Sequence, residues 1–227
     1  MTSILFQDFR ERSKEVRKYF IFLKSLENSS TKLYIGSSQD KSKIKNIDTE
    51  LFHTLKANGF LLLYNLVEST MRNAMERIFD EFKIQGVSFN DIKPEIKKII
   101  LDNLKKRNTD TMLQQITNIS VDIINISFSK KELFSGNIDS KLIKKIAEKY
   151  GFSSDTDYQK TKHGQDLIII KSNRNDLAHG NKPFSEIGRN RSADELLVIQ
   201  KKVVNYLKQI LINIEQYLAN QEYLDSN

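Results

Sequence analysis

The scarcity of chain breakers limits this sequence more than any other feature. Eight glycines and two prolines serve 227 residues, where average usage would supply roughly 27. A sandwich or barrel needs a turn signal every ten residues or so, and there are too few here. Long helices are what such a chain can build. Hydrophobic residues make up 39% of it, with 13 Phe and 8 Tyr, so it can bury a core and does not read as disordered. No internal repeat and no Pro/Gly-rich linker interrupts it, and residues 1–227 read as one domain.

The apolar spacing supports helices. Leu5, Phe9, Arg12, Val16, Tyr19, Leu23 and Leu26 follow at steps of three and four, one stripe broken only by Arg12. Asn28-Ser29-Ser30 and Gly36-Ser37-Ser38 then mark a polar, lysine-rich loop to about Asn46. A second helix is expected from about Asp48 to Lys83, carrying Phe60, Leu63, Val67, Met71, Ala74, Ile78 and Phe82, with a kink at Gly59. Pro94 suits the start of a helix continuing to about Lys106, before Asn108-Thr109-Asp110. Between Met112 and Phe134 the β-branched residues fit a short strand or a buried helix equally. Asp139 and Gly151 bracket a helix over Ser140–Tyr150. Ser192 and Glu195 form the S-x-x-E capping pattern at the head of a last helix through Val203, Leu207, Ile210, Ile214 and Tyr217.

Several function classes drop out. The chain has no cysteine, which excludes disulfide scaffolds, thiolate metal sites and cysteine nucleophiles. No unbroken apolar run exceeds the five residues of Phe60–Tyr64, far short of the roughly 20 that a membrane helix needs. Residues 3–24 fit neither a signal peptide nor a transit peptide, and a soluble cytoplasmic protein is expected. The net charge of +7 and pI near 9.3 suit an anionic partner such as nucleic acid, although a lysine-rich surface alone gives the same balance. A DNA-binding regulator finds no helix-turn-helix signature.

The segment with the most chemistry is Lys171-Ser172-Asn173-Arg174-Asn175-Asp176-Leu177-Ala178-His179-Gly180-Asn181. It sets a permanently charged guanidinium five positions before an imidazole, with an amide between them. Read alone, Arg174 is equally a surface ion-pair partner. His179 ahead of Gly180 is equally a helix cap, a position the dipole favours for imidazolium.

The string from Arg174 to Gly180 resembles the R-polar-x-x-x-H signature of HEPN domains. The wider chain is similar to the MAE-type HEPN family of standalone bacterial proteins. Further echoes are Tyr64-Asn65-Leu66-Val67-Glu68-Ser69-Thr70, Leu133-Phe134-Ser135-Gly136-Asn137-Ile138-Asp139, and the tail from Pro183-Phe184-Ser185-Glu186 into the final helix. The likeness covers roughly residues 50–220, with little of it in the first 45. It implies an all-α antiparallel bundle of long amphipathic helices, and an endoribonuclease that uses no metal or other cofactor.

By that resemblance, Arg174 would bind the scissile phosphate and stabilise its charge. His179 would move the proton as general acid or base. Asn175 would orient the histidine or hold a phosphate oxygen. The ribose 2′-OH would attack its own phosphate, which requires RNA. Glu68 and Asp176 are supporting candidates; Glu68, on an apolar helix face, needs a partner such as Arg72 or Arg174. Lys182, Arg189 and Arg191 would follow the RNA backbone or remain solvated loop charges. His53 and His163 have no partners at ligand spacing and read as non-functional. Some HEPN toxins carry a modified tyrosine two positions after the histidine; this chain has Asn181 there.

Five helical positions amount to about 140° of rotation and 7.5 Å of rise. Arg174 and His179 therefore leave a continuous helix on different flanks. A break near Gly180, a long arginine reach, or a homodimer pairing two such segments would bring them together, and the resemblance implies the homodimer, which HEPN nucleases generally adopt. The paired apolar stripes would supply its interface or simply core. The partners expected are thus RNA, a second copy, and a cognate antitoxin or sensor restraining a toxin or antiphage effector. The reading from another class is a non-catalytic HEPN module for binding and dimerisation.

Overall fold

The computed structural model describes residues 4–27, 31–35, 43–106, 119–130, 133–134 and 136–225. The turn signals at 28–30, 36–38 and 108–110, the stretch 112–118 with Ile116, and Ser135 lie outside them.

Helix α1 spans Ile4–Glu27 and buries Leu5, Phe9, Val16, Phe20, Leu23 and Leu26. The expected stripe is rotated by one residue in places. Phe20, not Tyr19, is wholly enclosed, and Tyr19 donates its hydroxyl to the Leu55 carbonyl at 2.6 Å. Arg12 does not break the stripe; it faces outward and pairs with Asp8 one turn earlier at 2.9 Å.

The segment expected as loop contains a hairpin instead. Strands β1 (Lys32–Ile35) and β2 (Lys43–Asn46) pair antiparallel, Lys32 opposite Asn46 and Tyr34 opposite Ile44. Both Tyr34 and Ile44 are largely exposed. A ribbon that buries so little leaves almost no hydrophobic pattern to read, which is why the lysines dominated the expectation.

Helix α2 runs unbroken over Thr49–Ile84, with Asp48 accepting the Leu51 N–H at its N-cap. At 1.5 Å per residue it is about 54 Å long. It is the central element and contacts most of the others, α1 among them. The helix stays continuous through Gly59, where a Cβ would lie 2.9 Å from Phe20 Cζ, so the glycine admits the α1 ring.

Helices α3 (Pro94–Leu104) and α4 (Ile119–Ser127) follow. The strand-or-helix ambiguity therefore resolves to helix at 119–127. Helix α5 spans Ser140–Tyr150 between an Asp139 cap and a left-handed Gly151. The short α6 (Tyr158–Thr161) leads through a tight turn at 162–164 to α7 (Gln165–Ala178). Helix α8 (Phe184–Arg189) lies close on α2. The long α9 (Ala193–Ala219) opens with the complete Ser192–Glu195 capping box. The ion pair Lys24–Asp194 and the bonds from Ala193 N–H to the Glu27 carboxylate join the end of α1 to the start of α9. The architecture is a helical bundle. Among the described residues, no helix is long and apolar enough to cross a membrane.

Candidate active site

Helix α7 carries the Arg174–His179 segment, and its buried residues explain where each side chain goes. Leu167, Ile170 and Leu177 are in the core. The steps 167, 170, 174, 177 place Arg174 on that same inward stripe, where an aliphatic residue would be ordinary. A half-buried guanidinium costs free energy unless its donors are engaged. Its plane lies over the Tyr64 ring, 4.6 Å from the centroid, a favourable cation–π arrangement. Nη1 donates to the Gly136 carbonyl at 3.3 Å and to Asn175 Oδ1 at 3.0 Å. Asn175 Nδ2 donates in turn to Asn137 Oδ1 at 3.2 Å. An arginine has five N–H donors; Nε and Nη2 have no partner among the described residues and are available to an anion.

Tyr64 is itself fixed. Its hydroxyl oxygen accepts the Ile138 N–H at 3.2 Å. Burial, reinforced by the Glu68 charge, pushes its pKa above the ordinary tyrosine value despite the opposing Ile138 bond and Arg174 charge. It is a neutral platform. Gly136 has φ +75°, and a Cβ there would crowd Arg174 Nη1 at 3.3 Å. Only glycine combines that backbone with room for the guanidinium.

The helix end fixes His179. Its N–H bonds the Asn175 carbonyl at 3.0 Å, Gly180 N–H bonds Leu177 O at 3.3 Å, and Asn181 N–H bonds Asp176 O at 2.8 Å. This is a Schellman ending, with Gly180 at φ +68° supplying the left-handed residue. The His179 side chain is exposed and makes no hydrogen bond to a described residue. Arg174 faces inward and His179 outward, so the two flanks expected from helix geometry persist within one chain.

A second anchor lies one turn before Arg174. Lys171 Nζ pairs with Asp139, which is 5% exposed and whose other oxygen caps α5 through Leu142 N–H at 2.9 Å. Burial raises the Asp139 pKa, but the Lys171 and backbone hydrogen bonds outweigh it and hold the carboxyl below its ordinary value. A depressed folded-state pKa contributes stability above the unfolded value, about 3.9, and loses it as pH falls through the folded value. Lys171→Met is therefore expected to lower the urea midpoint clearly at pH 7. The gap from the parent protein should close as pH drops below about 4.

The remaining candidates separate. Glu68 pairs with Arg72 at 2.6 Å, not with Arg174. The Arg72 fork also holds the Lys130 and Phe134 carbonyls, so the pair secures the chain leading to Gly136. Asp176 lies 3.7 Å from Lys182. Arg191 pairs with Glu195 at 3.1 Å, and its carbonyl accepts Lys56 Nζ at 2.7 Å. Arg189 stands beside His53, whose pKa burial and the Lys56 and Arg189 charges lower. His53 precedes Tyr64 by eleven helical positions, about 16 Å along α2. Arg189 and Arg191 thus cluster near the head of α2, and the structure does not bring them to Arg174.

Tyr64, Gly136 and Asn137 had no assigned role in the sequence reading. Each belonged to one of the echoed strings, but no spacing rule says that those strings meet. Among the described residues, no group of three or more His, Asp or Glu is placed to hold a metal ion.

Comparison with known proteins adds one result. The model of the MAE_28990-like HEPN family matches residues 1–223. That match takes in α1 and the hairpin, where the sequence itself showed little likeness. No curated protein and no solved structure matches the chain. With nearly its whole length matched, this chain belongs to the MAE_28990-like HEPN family.

Proposed function

We propose that the protein is an endoribonuclease that cleaves RNA through its own 2′-hydroxyl. The observation that carries this reading is the organisation around Arg174. Tyr64, Gly136, Asn137 and Asn175 hold a half-buried guanidinium with three N–H donors unspent, beside an exposed imidazole at the end of the same helix. A half-buried cation with spare donors suits the equatorial oxygens of a phosphodiester during in-line displacement.

In the proposed reaction the 2′-oxygen bonds to phosphorus and the P–O5′ bond breaks. The 2′-OH proton passes to one imidazole, and a proton from a second imidazole goes to the departing 5′-oxygen. The products are a 2′,3′-cyclic phosphate and a free 5′-OH. Two imidazoles are available if a homodimer faces the two α7 ends toward each other, and that arrangement also removes the flank mismatch of Arg174 and His179. Lys182, held loosely by Asp176, is placed nearest to such a cleft in sequence; Arg189 and Arg191 would serve more distant phosphates. Family membership supports a toxin or antiphage role restrained by a cognate antitoxin or sensor.

The test is cleavage of single-stranded RNA by purified protein with no added metal, with the ends mapped for the cyclic phosphate. Exchanging subunits of the parent protein with an excess of His179→Ala protein should lower the parent's activity, because a mixed dimer holds one imidazole where the reaction uses two. Products ending in a 3′-hydroxyl would refute the chemistry, and undiminished activity after confirmed subunit exchange would refute the shared site.

A further inference from the structure

A groove of about 1000 Å³ runs between α1 and α9, on a different flank of α9 from the one that meets α7. Its two walls are cationic. Arg10, Lys14 and Arg17 follow the α1 side at helical steps of four and three, and Lys201 and Lys208 follow the α9 side. All five are exposed and form no ion pair with a described residue. The one acid in the lining, Asp194, is already paired with Lys24 at the end of the groove. The floor is apolar, formed by Phe6, Leu197, Val204 and Val198, the last 52% exposed. Ser13 Oγ is buried in the wall without a hydrogen-bond partner.

We propose that this groove docks an amphipathic helix of a partner protein, with an apolar stripe flanked by Glu and Asp. Cationic rails on both sides of an aliphatic floor complement that pattern and little else. A second copy of this chain would set five cations against five, which is strongly unfavourable. A nucleic acid would match the charge, but Phe9 and Gln200 are buried, Phe6 is half-buried and the open part of the floor is Val198, so its bases would find little stacking surface. From Phe6 to Lys24, α1 extends about 27 Å, room for roughly five turns of a bound helix. The proposal uses none of Tyr64, Arg174 or His179 and stands apart from the nuclease reading.

The probe is a labelled 18-residue helical peptide with leucines at i, i+3/i+4 and i+7 and glutamates on both flanks. Fluorescence anisotropy at 150 mM salt should show saturable one-to-one binding. Hydrogen exchange should slow at residues 6–17 and 197–208. The triple reversal Lys14→Glu, Arg17→Glu, Lys201→Glu should weaken binding at least tenfold with the melting temperature and RNA cleavage unchanged. So should Val198→Asp, and so should a scrambled peptide of equal composition. Equal binding of the scrambled peptide, indifference to the reversal, or no binding at all would overturn the proposal. A larger effect of the reversal on an 18-nucleotide oligouridylate than on the peptide would assign the rails to nucleic acid and overturn it too.

Discussion

His179→Ala is expected to abolish RNA cleavage and leave the protein's fold almost untouched. General acid–base groups typically supply 10²–10⁴-fold in rate, so the residual activity should fall at least a hundredfold. The helix ending does not need the ring, because the Schellman bonds run through the backbone of residues 175–181. The side chain is exposed and unbonded to described residues, so its loss should cost no more than about 0.5 kcal/mol. For a chain of this size that is a shift of roughly 1–2 °C in Tm. Arg174 offers the contrast. Its guanidinium packs on Tyr64 and bonds Gly136 and Asn175, so Arg174→Ala should lower activity and stability together. Arg174→Lys keeps the charge but loses the planar fork, and should recover little of the activity. A histidine variant as active as its parent, measured by initial rates on the same RNA, would refute the catalytic role. A parent protein that cleaves no RNA would instead make the non-catalytic binding module the better reading.

That pair of variants also shows which parts of the site could be read in advance. Helix ends announced themselves: Asp48, Pro94, Asp139, Gly151 and the Ser192–Glu195 box sit where local chemistry requires them. These signals work because a cap satisfies backbone groups only a few residues away. The inward direction of Arg174 follows the steps of Leu167, Ile170 and Leu177, although the sequence left it equally a surface ion-pair partner. What it meets there was not legible. Tyr64 stands 110 positions earlier and Gly136 thirty-eight, and no period in the sequence encodes a contact between separate helices. Glu68 differs, because one of its two possible partners stood at the local i,i+4 helix spacing. Arg72, one turn along the same helix, is the partner. The hairpin escaped notice for the opposite reason: it buries too little to impose a pattern.

Gly188→Ala is expected to be strongly destabilising, because Gly188 lies where α8 comes close upon the α2 backbone. Helix α8 lies so close to α2 that a Cβ at 188 would sit 1.8 Å from the His53 carbonyl oxygen, 2.6 Å from its carbon and 3.0 Å from its Cα. All three are backbone atoms within a long helix, so no rotamer change relieves the overlap. Either α8 moves away or α2 bends. Overpacking that side chains can absorb costs about 1–3 kcal/mol; here the value should reach the top of that range or exceed it. The corresponding fall in Tm is about 6–12 °C. Two other glycines give the scale. Gly59→Ala meets the Phe20 ring at 2.9 Å, a side chain able to tilt, and gains up to about 1 kcal/mol of helix propensity, so its net effect should be small. Gly180→Ala meets nothing within 4 Å and costs only the left-handed backbone, roughly 1 kcal/mol. Thermal melts of the three variants side by side should therefore rank Gly188 far below the others. Because α8 carries Arg189, the same variant should also shift the His53 titration, followed by NMR, as the Arg189 charge moves away from the imidazole. A Gly188→Ala protein melting within 2 °C of the Gly59→Ala protein would refute the close approach of α8 to α2.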